Sequence, residues 1–346
     1  MSKNHWDHLS LKHRIVYFIN YASVFNDALS ISDLCAKIGT SNRAQVDKEL
    51  EELEREGLIV KNSTYVAVTD LKEKLEMKAD KERLSGYLLD RRMKQIQYLA
   101  SLPIIKFVGV SGSLAAGNPA ENSVSKVDVD LFLIARQNTV WLVILLAAIL
   151  RNFYFRFVNL PLCLNYIMEE SDLLVYNQNF YTAHELRNMR PIVDKGVYTS
   201  LLETNKWSWE FFPELRAKAV NGQVRNEPVG FSVLGVLLFG FFTLLRCVKN
   251  FSLGPFRDLK LKFDPWRAYN LSRKSTAQGG YQLLVVEKFK KNMDRNFPAY
   301  QEDYMMEILF KDDLTEKIKS VDYDFSAIAR SPKELRNTLR IYTKYD

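Results

Sequence analysis

GVSGSLAAGNPAENSVSKVDVDLFLIA, residues 109–135, decides how the rest of this chain is read. An apolar strand runs into Gly112 and Ser113, a polar loop follows, and a second strand carries Asp128 and Asp130. Side chains two apart in a strand project to one face, so these carboxylates lie side by side, about 7 Å apart along the chain. Val127, Val129 and Leu131 line the opposite face. Two ionised carboxylates on a half-buried face repel each other and are costly without a cation. A divalent metal removes that cost, and Mg²⁺ is the usual partner of carboxylates that act on phosphates. The upstream turn supplies the other half. Gly112 lets backbone approach a ligand, Ser113 offers a hydroxyl, and Leu114 to Ala116 begin a helix whose free N–H groups favour an anion. A phosphate held at the turn and a metal held by the aspartates is the arrangement that phosphoryl or nucleotidyl transfer requires.

The order of these parts, VSGSLAAG, ten residues and then DVDLFLI, resembles the polymerase-β-like nucleotidyltransferase superfamily. The resemblance covers residues 104–168. It implies that Gly112 and Ser113 contact a nucleoside triphosphate and that Asp128 and Asp130 hold Mg²⁺, usually as a two-metal site. It also implies a third carboxylate on the next core strand, where one oxygen activates the attacking hydroxyl. That strand is LCLNYIM, 162–168, and the residue at the position is Asn165. Asparagine can ligate a metal through its neutral oxygen but cannot act as a base, so the departure bears on catalysis more than on nucleotide binding. Glu169, Glu170 and Asp172, just past the strand end, are the candidates to substitute. Further along, FYTAHELRNMRPI and LLETNKWSWEFFPE resemble an uncharacterised bacterial subgroup of these proteins, often found beside glycan-synthesis genes, which implies no reaction. Two other readings of Asp-x-Asp stay open: a solvated strand face, and the Mn²⁺ site of a nucleotide-sugar glycosyltransferase, which does not need the Gly-Ser turn.

The first 69 residues read as helix, helix, turn, helix and hairpin. Ser30 caps a second helix that Gly39 ends, and a third runs from Ser41 to Gly57. Strands at 58–61 and 65–68 are joined by Asn62, Ser63 and Thr64. SNRAQVDKELEELEREGLIVKNSTYVAV resembles the third helix and wing of a winged-helix domain, which implies DNA binding. Between Ser41 and Gly57, however, three basic residues face six acidic ones, the wrong balance for phosphates. A protein-contact role is favoured, with DNA the lesser partner. From Asp70 to Ser101 apolar residues recur at helical spacing, giving a connecting helix with a break near Asp80.

Composition sets the frame. At 346 residues, 47% hydrophobic and 12% aromatic, the chain folds. A net charge of +7 leans toward an anionic partner. Cys35, Cys163 and Cys247 lie too far apart for a disulfide framework or zinc site, and MSKNHWDHLSLKH has no signal-peptide core, so a cytoplasmic setting is expected. Residues 228–245 run 18 positions without a charge, followed by Arg246, Lys249 and Arg257. They read as a core helix or as a membrane-associated one, with contact over 228–248. Thr139 to Leu150 reads as a crossover helix.

Elsewhere the signals are weaker. His5, His8 and His13 fit no metal spacing. His184 and Glu185, with Arg187 and Arg190, read as a surface helix with a conceivable phosphate contact. Gly279 and Gly280 are expected to break the chain before an amphipathic helix ending near Asn292, whose Lys288, Lys290 and Lys291 face solvent. Ser331, Pro332 and Glu334 start a final helix.

Together these give an α/β (α+β) protein: a winged-helix-like domain (1–69), a connecting helix (70–101), a nucleotidyltransferase core with a mixed sheet (102–195), and a helical C-terminal region packed on that core (196–346). The expected activity is Mg²⁺-dependent transfer of a nucleoside monophosphate from an NTP to an unidentified acceptor. The alternative is a non-catalytic nucleotide-binding regulator, or a DNA- or protein-binding module with a degenerate transferase core.

Overall fold

The computed structural model describes residues 6, 8–119, 127, 129–140, 142–143, 162–175, 178–220, 276–301 and 309. Asp128, the apolar segment 228–248, Cys247 and the 332–342 helix lie outside the described residues.

The N-terminal domain follows its local signals. Helix α1 (Leu11–Val24) is capped by Ser10, whose side chain accepts from the His13 N–H. Strand β1 (Leu29–Ser30) leads into α2 (Ile31–Ile38), where Ser30 accepts from the Asp33 N–H and Gly39 ends the helix at φ +75°. Helix α3 (Arg43–Arg55) starts at an Asn42 cap, one residue later than the Ser41 start expected. Strands β2 (Ile59–Lys61) and β3 (Tyr65–Val68) form the hairpin, and β1 joins it to give the order β1-β3-β2, all antiparallel. Ile15, Phe18, Ile19, Leu34, Val46, Leu50 and Leu53 bury the faces these elements share.

Helix α4 (Lys72–Ser101) runs 30 residues without the expected break near Asp80. Asp80 sits on an exposed turn, paired with Arg83, and no proline or cap residue interrupts the i→i−4 ladder there. Pro103 follows the helix end, and the chain enters the central sheet.

That sheet is mixed, in the order β6-β5-β4-β7. Strand β4 (Ile105–Ser111) pairs antiparallel with β5 (Val129–Ala135) and with β7 (Arg190–Asp194), and β5 pairs parallel with β6 (Leu162–Glu169). One face, with Val108, Val110, Val129, Leu131 and Leu133, packs on the end of α4 through Leu88, Leu89, Ile96 and Leu99. The other, with Phe107, Phe132, Ile134 and Tyr166, faces α6 (Phe180–Asn188) and α7 (Tyr198–Thr204) and merges with the core of the N-terminal domain. Trp6 is part of that merger: it is fully buried, touches Phe18 and Phe180, and donates to the Phe211 carbonyl at 2.8 Å. Helix α8 (Glu214–Val220) closes this side.

Two expectations about the C-terminal region change. Helix α9 (Thr276–Asn296) runs through Gly279 and Gly280 rather than starting after them. It packs on α1, whereas α7 of the same region lies against the central sheet: Phe289 lies against Tyr17 and Tyr21, Asn20 donates to the Phe289 carbonyl at 3.0 Å, and Tyr198 stacks on Phe107. Glycine weakens a helix by only about 1 kcal/mol, which the buried contacts of Val285, Phe289 and Met293 outweigh. Lys288, Lys290 and Lys291 are exposed, as expected.

Candidate functional site

Strand β4 delivers Ser111 to the sheet end, and the chain turns at Gly112 into α5 (Gly112–Ala115). Gly112 has φ +68°, a left-handed conformation that costs other residues about 1–2 kcal/mol. A Cβ built there would overlap the Asp130 carboxylate. The turn and the second aspartate, 18 positions apart in sequence, are therefore in contact, and only glycine fits between them.

The register explains why. Ser111 pairs with Asp130 across β4 and β5, so both side chains share a face. That is the face of Phe132 and Ile134, toward α6, while Val129 and Leu131 are buried on the other, as the alternation in the sequence requires. On β6 the pairing slips between Leu131 and Phe132, leaving Asn165 at the irregularity. Its Nδ2 donates to Ser111 Oγ at 3.2 Å, which brings Asn165 to the same end of the sheet. Gly112, Asp130 and Asn165 thus converge; Ser113 follows in the turn, where its carbonyl accepts from the Asn118 N–H at 2.9 Å.

The acids proposed to stand in for Asn165 do not reach it. Ala135 pairs with Glu169, placing Glu169 at the far end of β5, five residues or about 17 Å from Asp130, with Glu170 and Asp172 following it in sequence. Glu170 instead pairs with Lys106 at 3.1 Å.

The carboxylate that does reach the site comes from α6. Glu185 lies close enough to the Gly112 N–H and to the Asp130 carboxylate for both to act on its carboxyl. Burial and the Asp130 carboxylate push its carboxyl up to about 7, against the opposing pull of that N–H. The turn that the sequence assigns to a phosphate thus has a carboxylate of the protein itself beside it. Helix α5, at four residues, adds only one turn of dipole.

Helix α6 is not a surface helix. Asn179 and Thr182 form a capping box at its start, Phe180, Tyr181, Ala183 and Leu186 are buried, and His184 packs on Tyr21. Arg187 is taken by ion pairs to Asp33 at 2.5 Å and Glu214 at 2.7 Å, so it does not serve a phosphate. Arg190 lies on β7, where its Nε donates to the Ala115 carbonyl at 2.9 Å.

Among the described residues no group of three or more His, Cys, Asp and Glu is placed to hold a metal ion. The described part of the site still offers a cation oxygen donors of the hard type Mg²⁺ takes: the Asp130 and Glu185 carboxylates and the Asn165 amide, around a cradle that a Cβ would fill. No helix among the described residues is long and apolar enough to cross a membrane. No known protein family, curated protein or solved structure matches the chain.

Proposed function

We propose that the protein is a Mg²⁺-dependent nucleotidyltransferase that moves a nucleoside monophosphate from an NTP to an acceptor. What supports this is one contact: the left-handed Gly112 packed beneath the Asp130 carboxylate, which joins the two halves of the sequence motif into one site. In this reading Asp128 and Asp130 hold the metal, and Gly112 and Ser113 orient the phosphates. When bound, Mg²⁺ supplies charge neutralisation on the transferring phosphoryl group. Asn165 fixes Ser111, and so the end of β4, through a neutral bond. In this reading Glu185, beside Asp130, takes the base role that the resemblance implies for a third carboxylate, where this chain has Asn165.

Incubation with α-labelled NTPs and candidate acceptors (small molecules, glycans, tRNA, protein) tests the reading. Labelled product is expected from the parent and not from Asp128→Ala or Asp130→Ala, because removing a charge-stabilising group costs orders of magnitude in rate. Identical products from all three would overturn it.

A second reading is favoured by Asn165 itself, whose amide is committed to Ser111. The core is then a nucleotide sensor without turnover. Calorimetry showing Mg²⁺-dependent NTP binding, with no product across all acceptors, selects it. Absence of any NTP binding removes both.

A further inference from the structure

Lys78 lies within α4 and is 3% exposed. Burying an ammonium costs several kcal/mol unless acceptors surround it. Nζ has three: Asp27 Oδ2 at 2.7 Å, the Gly117 carbonyl at 3.3 Å and the Ala116 carbonyl at 3.5 Å. An ammonium has three protons, so one lysine ties the N-terminal domain to the end of the Gly-Ser turn. Asn118 makes a second tie. Its Nδ2 donates to the Phe25 carbonyl at 3.0 Å, and its Oδ1 accepts from Lys81 Nζ at 2.9 Å. Upstream, Ser85 on α4 donates to the Leu114 carbonyl. Apart from the Lys78–Asp27 pair, every one of these bonds ends on residues 114–118.

The Lys78 tie is an expensive way to hold two domains together. Asp27 Oδ1 is buried with no hydrogen-bond partner, at a cost of about 1–3 kcal/mol. Apolar residues of similar volume in place of a buried ion pair are often neutral or stabilising. What apolar packing cannot do is fix the direction of two backbone carbonyls.

We propose that residues 25–27 of the N-terminal domain act through Lys78 and Asn118 as a strut that sets the backbone of the 112–118 turn, making Lys78 and Asn118 positioning residues for the ligand that turn binds. The functional half of this rests on the phosphate-holding role proposed for the turn; the structural half does not. The N-terminal domain is then a working part of the site, and whatever docks on that domain can loosen or tighten the turn.

The double variant Asp27→Asn/Lys78→Met removes both charges of the pair while keeping side-chain size close to the parent's, so neither member is left as an unpaired buried charge. Hydrogen exchange of the full-length, nucleotide-free protein reads the first arm. The amides of Ala116, Gly117 and Asn118, bonded to the Gly112, Leu114 and Ser113 carbonyls, are expected to exchange about tenfold faster. Amides of β4 and β5 are expected to be unchanged. Unchanged exchange at 116–118, or equal acceleration throughout the sheet, overturns the strut. Calorimetric titration with MgATP, MgGTP, MgCTP and MgUTP reads the second arm, with affinity for the preferred nucleotide expected to fall about tenfold. Faster exchange with unchanged affinity overturns the positioning role. If the parent binds none of the four, the nucleotide reading and the positioning role fall together, and the exchange arm alone decides the strut.

Discussion

Lys37 Nζ lies 3.1 Å from His184 Nε2, joining α2 of the N-terminal domain to α6 beside the candidate site. A lysine ammonium has only donors, so Nε2 must be the acceptor and the imidazole is neutral. Burial, Lys37 and Arg187 together hold His184 well below its ordinary 6.5. Asp33 pairs with Lys37 at 3.0 Å and with Arg187, which offsets the two cations but adds no acceptor for a second imidazole proton. Below about 6.5 the unfolded chain therefore binds a proton that the folded chain refuses, and stability is lost as pH falls through that region. His184→Gln keeps an acceptor for Lys37 and removes the titration. Denaturant midpoints at pH 5 and pH 7 are expected to differ less for the variant than for the parent; equal differences would refute the assignment.

Glu185 has the opposite sign. Its carboxyl is raised from the ordinary 4.5 to about 7, so between those values the folded chain keeps a proton that the unfolded chain has released. Stability then falls as pH rises through that window, and the cost stays in place above it. Glu185→Gln keeps the size and polarity of the side chain without the charge. The variant is expected to melt at a higher temperature than the parent at pH 8, with the gap closing at pH 5. A gap independent of pH would show that the Glu185 charge is not strained.

Much of this was legible in the sequence because short-range signals decide it. Ser30 and Gly39 bracket α2, and the alternation around Asp130 sorts the two faces of β5, both within a few residues of where the signal sits. Glu185 was not legible as a site residue. It lies 55 positions after Asp130, and only the folding of α6 onto the sheet brings it to Gly112. One signal was present: Tyr181 and Glu185 share a face at i, i+4, and an acid continuing a buried face needs a partner. The continuity of α4 past Asp80 and of α9 through Gly279 and Gly280 was missed for a different reason. Tertiary packing along a long helix outweighs a locally weak stretch.

Gly112 and Gly39 make a controlled comparison. Both have positive φ, +68° and +75°, but a Cβ at Gly39 meets nothing within 4 Å, whereas one at Gly112 overlaps Asp130. Gly39→Ala should cost the backbone term alone, about 1–2 kcal/mol. Gly112→Ala should cost more, and pairing it with Asp130→Ala should recover the excess. Chemical denaturation of the parent, the two glycine variants, Asp130→Ala and the double variant measures it; equal costs at the two glycines would mean that the turn moves freely away from Asp130.

Asn165 offers a test in the direction of gain. Asn165→Asp places a third carboxylate at the sheet end, next to Ser111 and on the side of Asp130 and Glu185. The Ser111 hydroxyl can reverse and donate to it, so the local bond survives. The added negative charge repels Asp130 and Glu185, and without a divalent cation the variant is expected to be less stable than the parent. A cation held among these oxygens offsets that repulsion, so Mg²⁺ should raise the melting temperature of Asn165→Asp by more than it raises that of the parent. Ca²⁺ should help less if phosphate is also present, because the smaller ion is the better match to few ligands shared with phosphate oxygens. Equal Mg²⁺ responses from the two proteins would place the metal, if one binds, away from Asn165.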